Sequence, residues 1–304
     1  MQFPNLKVRM NNVNKQVLDS GEKQKRTSKQ IATISAILVL VICIGLCLNY
    51  FLTESATAYF KTTGWKYFTI GAFAELANGT IGMAYGITTA AALLSMGITP
   101  IVTSSVVHIS EIFTGAANGL MHFKFKNVNK LMFKKLVYPA IIGAIIGSIL
   151  LFLLTKSQQF IKVIVSVYIL ILGFVILYNA LRNRLPRRKI KLIGVIGFLT
   201  AMFDAIGCGG FGTTASTTLI AGGRNVLRTI GVVSAVKFFV AAASSITLVV
   251  LARSVDWPLL LMLVSGGLIV SPIGPYLAKK LPKKALMIIL ALAVIIVSLK
   301  QLFF

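Results

Sequence analysis

Uninterrupted apolar stretches, most of them long enough to cross a bilayer, constrain this chain more than any other feature. One runs over 31–53. Eight more follow at roughly 67–95, 100–120, 132–154, 160–180, 192–220, 226–251, 257–278 and 284–303. A helix needs about 20 residues to span the roughly 30 Å hydrocarbon layer. The stretches are continuously apolar, not alternating, so they predict helices and not a barrel. With 57% hydrophobic and only 12% charged residues, and a mean hydropathy of +0.87, the chain has too little polar surface for a soluble exterior. The expected fold is an all-α integral membrane protein, a polytopic helical bundle. The connectors near 121–131 and 181–191 are too short to hold a further domain.

The net charge of +24 does not imply nucleic acid. Its lysines and arginines sit in short connectors, where they set topology and meet anionic lipid heads. Residues 1–30 form a basic tail, expected in the cytoplasm, ahead of the helix over 31–53, which is too long for a removable signal. Cys43, Cys47 and Cys208 make neither a disulfide framework nor a zinc spacing. No cofactor, metal or catalytic residue is assigned.

Two stretches are long and broken by small residues: Asn78, Gly79, Gly82 and Gly86 in one, Gly207, Gly209, Gly210 and Gly212 in the other. Each glycine costs a helix interior about 1 kcal/mol relative to alanine, so these clusters predict unwound backbone. They also align. Ile81-Gly82 and Thr88-Thr89-Ala90 fall on Ile206-Gly207 and Thr213-Thr214-Ala215, and Val106-Val107 on Val232-Val233, with Glu111 over Lys237. The chain therefore reads as a duplicated four-segment unit, 67–180 and 191–304, with one extra helix before it.

Charge placement then tests topology. If every stretch crosses, basic residues divide evenly between the two faces. If the two broken stretches instead dip in and return, twenty-four lie inside and six outside. The positive-inside bias favours re-entrant hairpins, seven crossings and two inverted halves, a recurrent plan of secondary transporters.

The run Phe203-Asp204-Ala205-Ile206-Gly207-Cys208-Gly209-Gly210-Phe211-Gly212, its twin from Glu75 to Gly86, and His122-Phe123-Lys124-Phe125-Lys126-Asn127-Val128-Asn129 resemble the sulfite exporter TauE/SafE family. The resemblance spans nearly all of the duplicated region. It implies a cell (plasma or inner) membrane permease for a small anion such as sulfite, sulfoacetate or another organosulfonate. The first repeat departs by carrying Ala84 and Tyr85 where the second has Gly209 and Gly210, which leaves its loop less able to wrap a ligand.

Unwound backbone and half-helix N-termini offer N–H groups to an oxyanion, making Gly79, Gly82, Gly207, Gly209 and Gly210 candidate substrate-binding positions, beside the hydroxyls of Thr88, Thr89, Thr213 and Thr214. Close helix packing is the alternative for the glycines, and bonding to their own backbone for the threonines. The glycine run follows no strand, so it is not a nucleotide loop. Asn78-Gly79-Thr80 lies in an apolar segment where no glycan attaches.

Glu75, Glu111, Asp204 and Lys237 interrupt apolar stretches, at a cost of at least about 2.5–3.5 kcal/mol each if unpaired. Glu111 and Lys237, opposite in sign at duplicate positions, fit an ion pair across the symmetry axis. They equally fit a substrate anchor, Lys237, whose partner in the empty state is Glu111. His108 shares a helix face with Glu111 and suits either packing or proton coupling. The expected partners are a small anion and membrane lipids, with self-assembly into a homo-oligomer left open. The rival class is a non-transporting scaffold or lipid-binding assembly protein.

Overall fold

A computed structural model describes residues 58–81, 84–124, 128–181, 192–253, 255–271 and 283–303, and every element among them is helical. The tail, the helix expected over 31–53, Cys43, Cys47 and Gly82 lie outside the described residues. After a short π-helical turn at Phe60–Gly64 come α1 (Trp65–Ile81), α2 (Tyr85–Ser95), α3 (Pro100–Lys124), α4 (Lys130–Leu154) and α5 (Gln158–Leu181). The second series is α6 (Ile193–Ile206), α7 (Phe211–Ala221), α8 (Val226–Ala252), α9 (Trp257–Val270) and α10 (Lys283–Phe303).

Helix ends follow the polar punctuation of the sequence. The side chains of Asn129, Asn225 and Asp256 accept the Met132, Arg228 and Leu259 N–H groups at 3.0, 3.1 and 3.0 Å, capping α4, α8 and α9. The short helices α2 and α7 end alike. Gly97 (φ +85) and Gly223 (φ +79) take the left-handed conformation. The N–H groups of Gly97 and Ile98 return to the Leu94 and Leu93 carbonyls, as those of Gly223 and Arg224 return to Ile220 and Leu219. Both helices end in the same terminating motif.

Three described helices are long and apolar enough to cross a membrane: Lys130–Ser157, Gln159–Leu181 and Arg228–Ala252. Helix α3 has 25 residues, but buried Thr103, Ser104, His108, Ser110, Glu111 and Thr114 dilute its hydropathy. Exposed Ile142, Leu153, Ile171, Phe174, Ile246 and Val250 form the apolar exterior that lipid requires.

Packing exchanges partners between the two series. Helix α1 packs on α9, and α6, which opens the second series, packs on α4; α3 lies on α8, and α5 on α10. Small residues set the first two contacts. An added methyl at Gly71 or Gly266 would collide with the Leu263 or Phe68 carbonyl, and one at Gly143 or Gly147 with that of Phe198 or Met202. Along α4 and α6 the contacts advance together, Gly143 at Phe198 and Gly147 at Met202, and along α1 and α9 they advance from Gly64 beside Met262 to Glu75 beside Gly267, so both pairs run parallel. Helices α5 and α10 run antiparallel: Ser166 bonds Gln301 at 3.2 Å, while Gly173 meets Val294 and Ile295.

Overpacking a tight backbone crossing costs typically about 1–3 kcal/mol. Gly71→Leu and Gly143→Leu should each lower the unfolding temperature in detergent, whereas Gly97→Ala, with open space around it, should bear only its backbone strain. Equal melting of wild type and both leucine variants would contradict the close parallel contacts.

Candidate functional site

The site forms where the two helix breaks meet the α3–α8 contact. Between α6 and α7 the chain turns through Gly207–Gly210, with Cys208 at φ 61, Gly209 at φ +140 and Gly210 at φ +126. The last two values suit glycine far better than any L side chain. Asp204, in the last turn of α6, spans the turn: its Oδ1 accepts the Phe211 N–H at 2.6 Å and its carbonyl accepts the Gly209 N–H at 2.9 Å. A carboxylate at the start of α7 is favoured by the partial positive charge there. It also stands where an anionic ligand was expected.

Gly209 packs against Gly86 of α2, so the two breaks touch backbone to backbone. A methyl at Gly209 would come within 2.6 Å of the Gly86 carbonyl carbon, and one at Gly86 within 2.5 Å of Glu111 Oε1. Tyr168 of α5 closes the other side, against Gly207 and Gly210, with its ring stacked on Phe203 at 6.3 Å. Ser104 of α3 donates to the Ala205 carbonyl at 3.0 Å.

Against this floor lie the ionisable groups. Lys237 Nζ of α8 is 2.7 Å from Glu111 Oε1 of α3. The other Glu111 oxygen, Oε2, is 3.7 Å from His108 Nδ1, which is 3.9 Å from Asp204 Oδ2. His108, Glu111 and Asp204 are fully buried, and Lys237 is 9% exposed. Neither ring nitrogen of His108 has a hydrogen-bond partner, nor does Asp204 Oδ2. Two carboxylates thus face one ammonium, and the cluster carries one excess negative charge whenever His108 is neutral.

The other candidate residues are more dispersed. Glu75, buried on α1, accepts from the Asn78 amide at 3.2 Å and lies, with Tyr85, beside Gly267. Gly79 is on α1, one residue after Asn78. The Thr88 and Thr214 hydroxyls bond the Ala84 and Gly210 carbonyls of their own helices at 2.8 and 2.9 Å. The Thr89 hydroxyl is buried without a partner. Thr213 and Thr217 of α7 line a small cavity with Ala84, the N-cap residue of α2, and with Ile176, Asn179, Met287 and Leu290. The Gly207 N–H returns to the Phe203 carbonyl at 2.8 Å.

Lys237, Glu111, His108 and Asp204 therefore come together, joined by Gly86 and Gly209. Tyr168 and Ser104 complete the surround without any sequence signal of their own. The close fit of Gly86 is visible only once Glu111 is seen beside it.

The family described as "Sulfite exporter TauE/SafE" matches residues 67–301. The "Probable membrane transporter protein YtnM" of Bacillus subtilis (strain 168) is 31% identical over 243 residues, covering 77% of this chain and 80% of the relative. No solved structure matches.

Removing one partner of a buried ion pair strands the other charge, at about 3–5 kcal/mol. Lys237→Met should destabilise the protein by that order, and adding Glu111→Gln should recover most of the loss, both read by unfolding in detergent. Failure of the second substitution to compensate would show that the pair does not act as a unit.

Proposed function

The chain belongs to the sulfite exporter TauE/SafE family and is a membrane transporter; from that premise we propose that it carries a small anion such as sulfite, sulfoacetate or another organosulfonate, outward across the cell membrane, by alternating access without ATP. The observation that carries this reading is a single ammonium, Lys237, held by a carboxylate at the meeting point of two helix breaks. An incoming anion competes with Glu111 for Lys237. Thr89 offers a hydroxyl nearby in sequence to the first break, and Thr213 lies in the first turn of α7. Once released from Lys237, the Glu111 carboxylate needs a new positive neighbour, and His108 and Asp204 flank the place where one would sit.

An inverted repeat underlies the proposed mechanism. Duplicate helices α5 and α10 run antiparallel, as inversion requires. The helix directions also favour re-entrant breaks: with α4 parallel to α6 and α1 parallel to α9, unbroken crossing at both breaks would leave α5 and α10 parallel. In this reading the basic connectors and the N-terminal tail lie in the cytoplasm, in keeping with the charge bias.

Two measurements test the reading. Proteoliposomes should show saturable efflux of sulfite or a short sulfonate that Lys237→Ala abolishes; wild-type protein with no flux of any small sulfur anion would favour the scaffold class. For topology, cysteines replacing Lys130 and Arg224, in a chain whose three native cysteines are changed to serine, should react with impermeant reagents from the same, cytoplasmic face. Labelling from opposite faces would mean that the breaks cross.

A further inference from the structure

With His108 neutral and both carboxylates ionised the cluster has one negative charge in excess, at odds with binding an anion, and the geometry suggests what corrects it. Each carboxylate has one oxygen committed: Glu111 Oε1 to Lys237 at 2.7 Å, Asp204 Oδ1 to the Phe211 N–H at 2.6 Å. The other oxygens, Oε2 and Oδ2, turn toward His108 Nδ1 at 3.7 and 3.9 Å. Those separations are too long for hydrogen bonds. His108 is wholly buried with both nitrogens unpartnered, and Asp204 Oδ2 is unpartnered too. One ligand atom from each of the three residues falls within 4.8 Å of the others. A point equidistant from atoms so spaced lies at most about 2.5 Å from each, no more than a few tenths of an ångström beyond the roughly 2.0–2.2 Å of zinc–nitrogen and zinc–oxygen bonds, a gap that small side-chain shifts close.

We propose that His108 Nδ1, Glu111 Oε2 and Asp204 Oδ2 bind a divalent transition-metal cation of the zinc or manganese class. One imidazole and two carboxylates form a mixed nitrogen and oxygen donor set that suits such ions better than sodium or magnesium. Lys237 and the Phe211 N–H orient the two carboxylates from behind, as outer partners of metal ligands commonly do. Three protein ligands leave a coordination position open. A bound divalent ion turns one excess negative charge into one excess positive charge, and the open position together with Lys237 then attracts an anion. The proposal rests on the anion reading for its purpose but not for its test.

The protein is purified through a histidine-free tag, stripped with chelator, and titrated with Co²⁺ while visible absorption is followed. Wild type should take up one Co²⁺ per chain, displaced by Zn²⁺. His108→Gln should weaken binding by more than about tenfold, while His122→Gln, changing the other of the two histidines, leaves it unaltered. If His108→Gln does not fold, a rise in wild-type melting temperature with Zn²⁺, reversed by chelator, answers the same question. No Co²⁺ uptake and no thermal shift in wild type, or identical uptake in His108→Gln, would overturn the site and leave a proton as the compensating charge. Metal binding without flux of any anion would support the site and sink the transport reading alone.

Discussion

Burying charge in a bilayer sets the terms for the rest of this structure. An unpaired side chain such as Lys237 or Glu111 is costly at membrane depth, and an ion pair lessens that cost only with close geometry and further partners. The 2.7 Å contact between them therefore fixes how α3 and α8 lie against each other. Gly86 has to be glycine because the Glu111 carboxylate occupies the space a side chain would need. Asp204 is tolerable because it bonds the start of α7 and faces His108.

The helices around this centre associate without the hydrophobic drive available in water, since lipid tails are as apolar as leucine. Close approach of backbones replaces it. Gly71 and Gly266 bring α1 against α9, and Gly143 and Gly147 bring α4 against α6. Both contacts join one half of the chain to the other. The bundle is thus held by exchanged pairs and by the central polar contact, so neither half has a packed core of its own.

Much of this was legible in the sequence. The described helices fall where apolar stretches were read, and breaks fall at Gly207–Gly210 and between α1 and α2, because glycine clusters are costly inside a helix. The pairing of Glu111 with Lys237 followed from their duplicate positions and opposite charge. The approach of Asp204 to His108 was not legible: it depends on how α6 stops and how α3 crosses it, with no periodicity linking the two residues. Nor could composition reveal that Asp204 satisfies the N–H of Phe211 at the start of α7, a half-helix end of the kind expected to offer N–H groups to an anion. Tyr168, one aromatic among many on α5, becomes distinctive only because two glycines lie under it.

Under the mechanism proposed above, the opposite signs of Glu111 and Lys237 have a kinetic consequence. In a carrier built from two equivalent inverted halves, the conformers open to either face would have equal energy and equal affinity. A carboxylate on one half and an ammonium on the other removes that degeneracy. Detailed balance still forbids net flow without a gradient, but the half-saturating concentrations at the two faces need no longer agree. Unequal faces would let such a carrier load readily from one compartment and unload readily into the other.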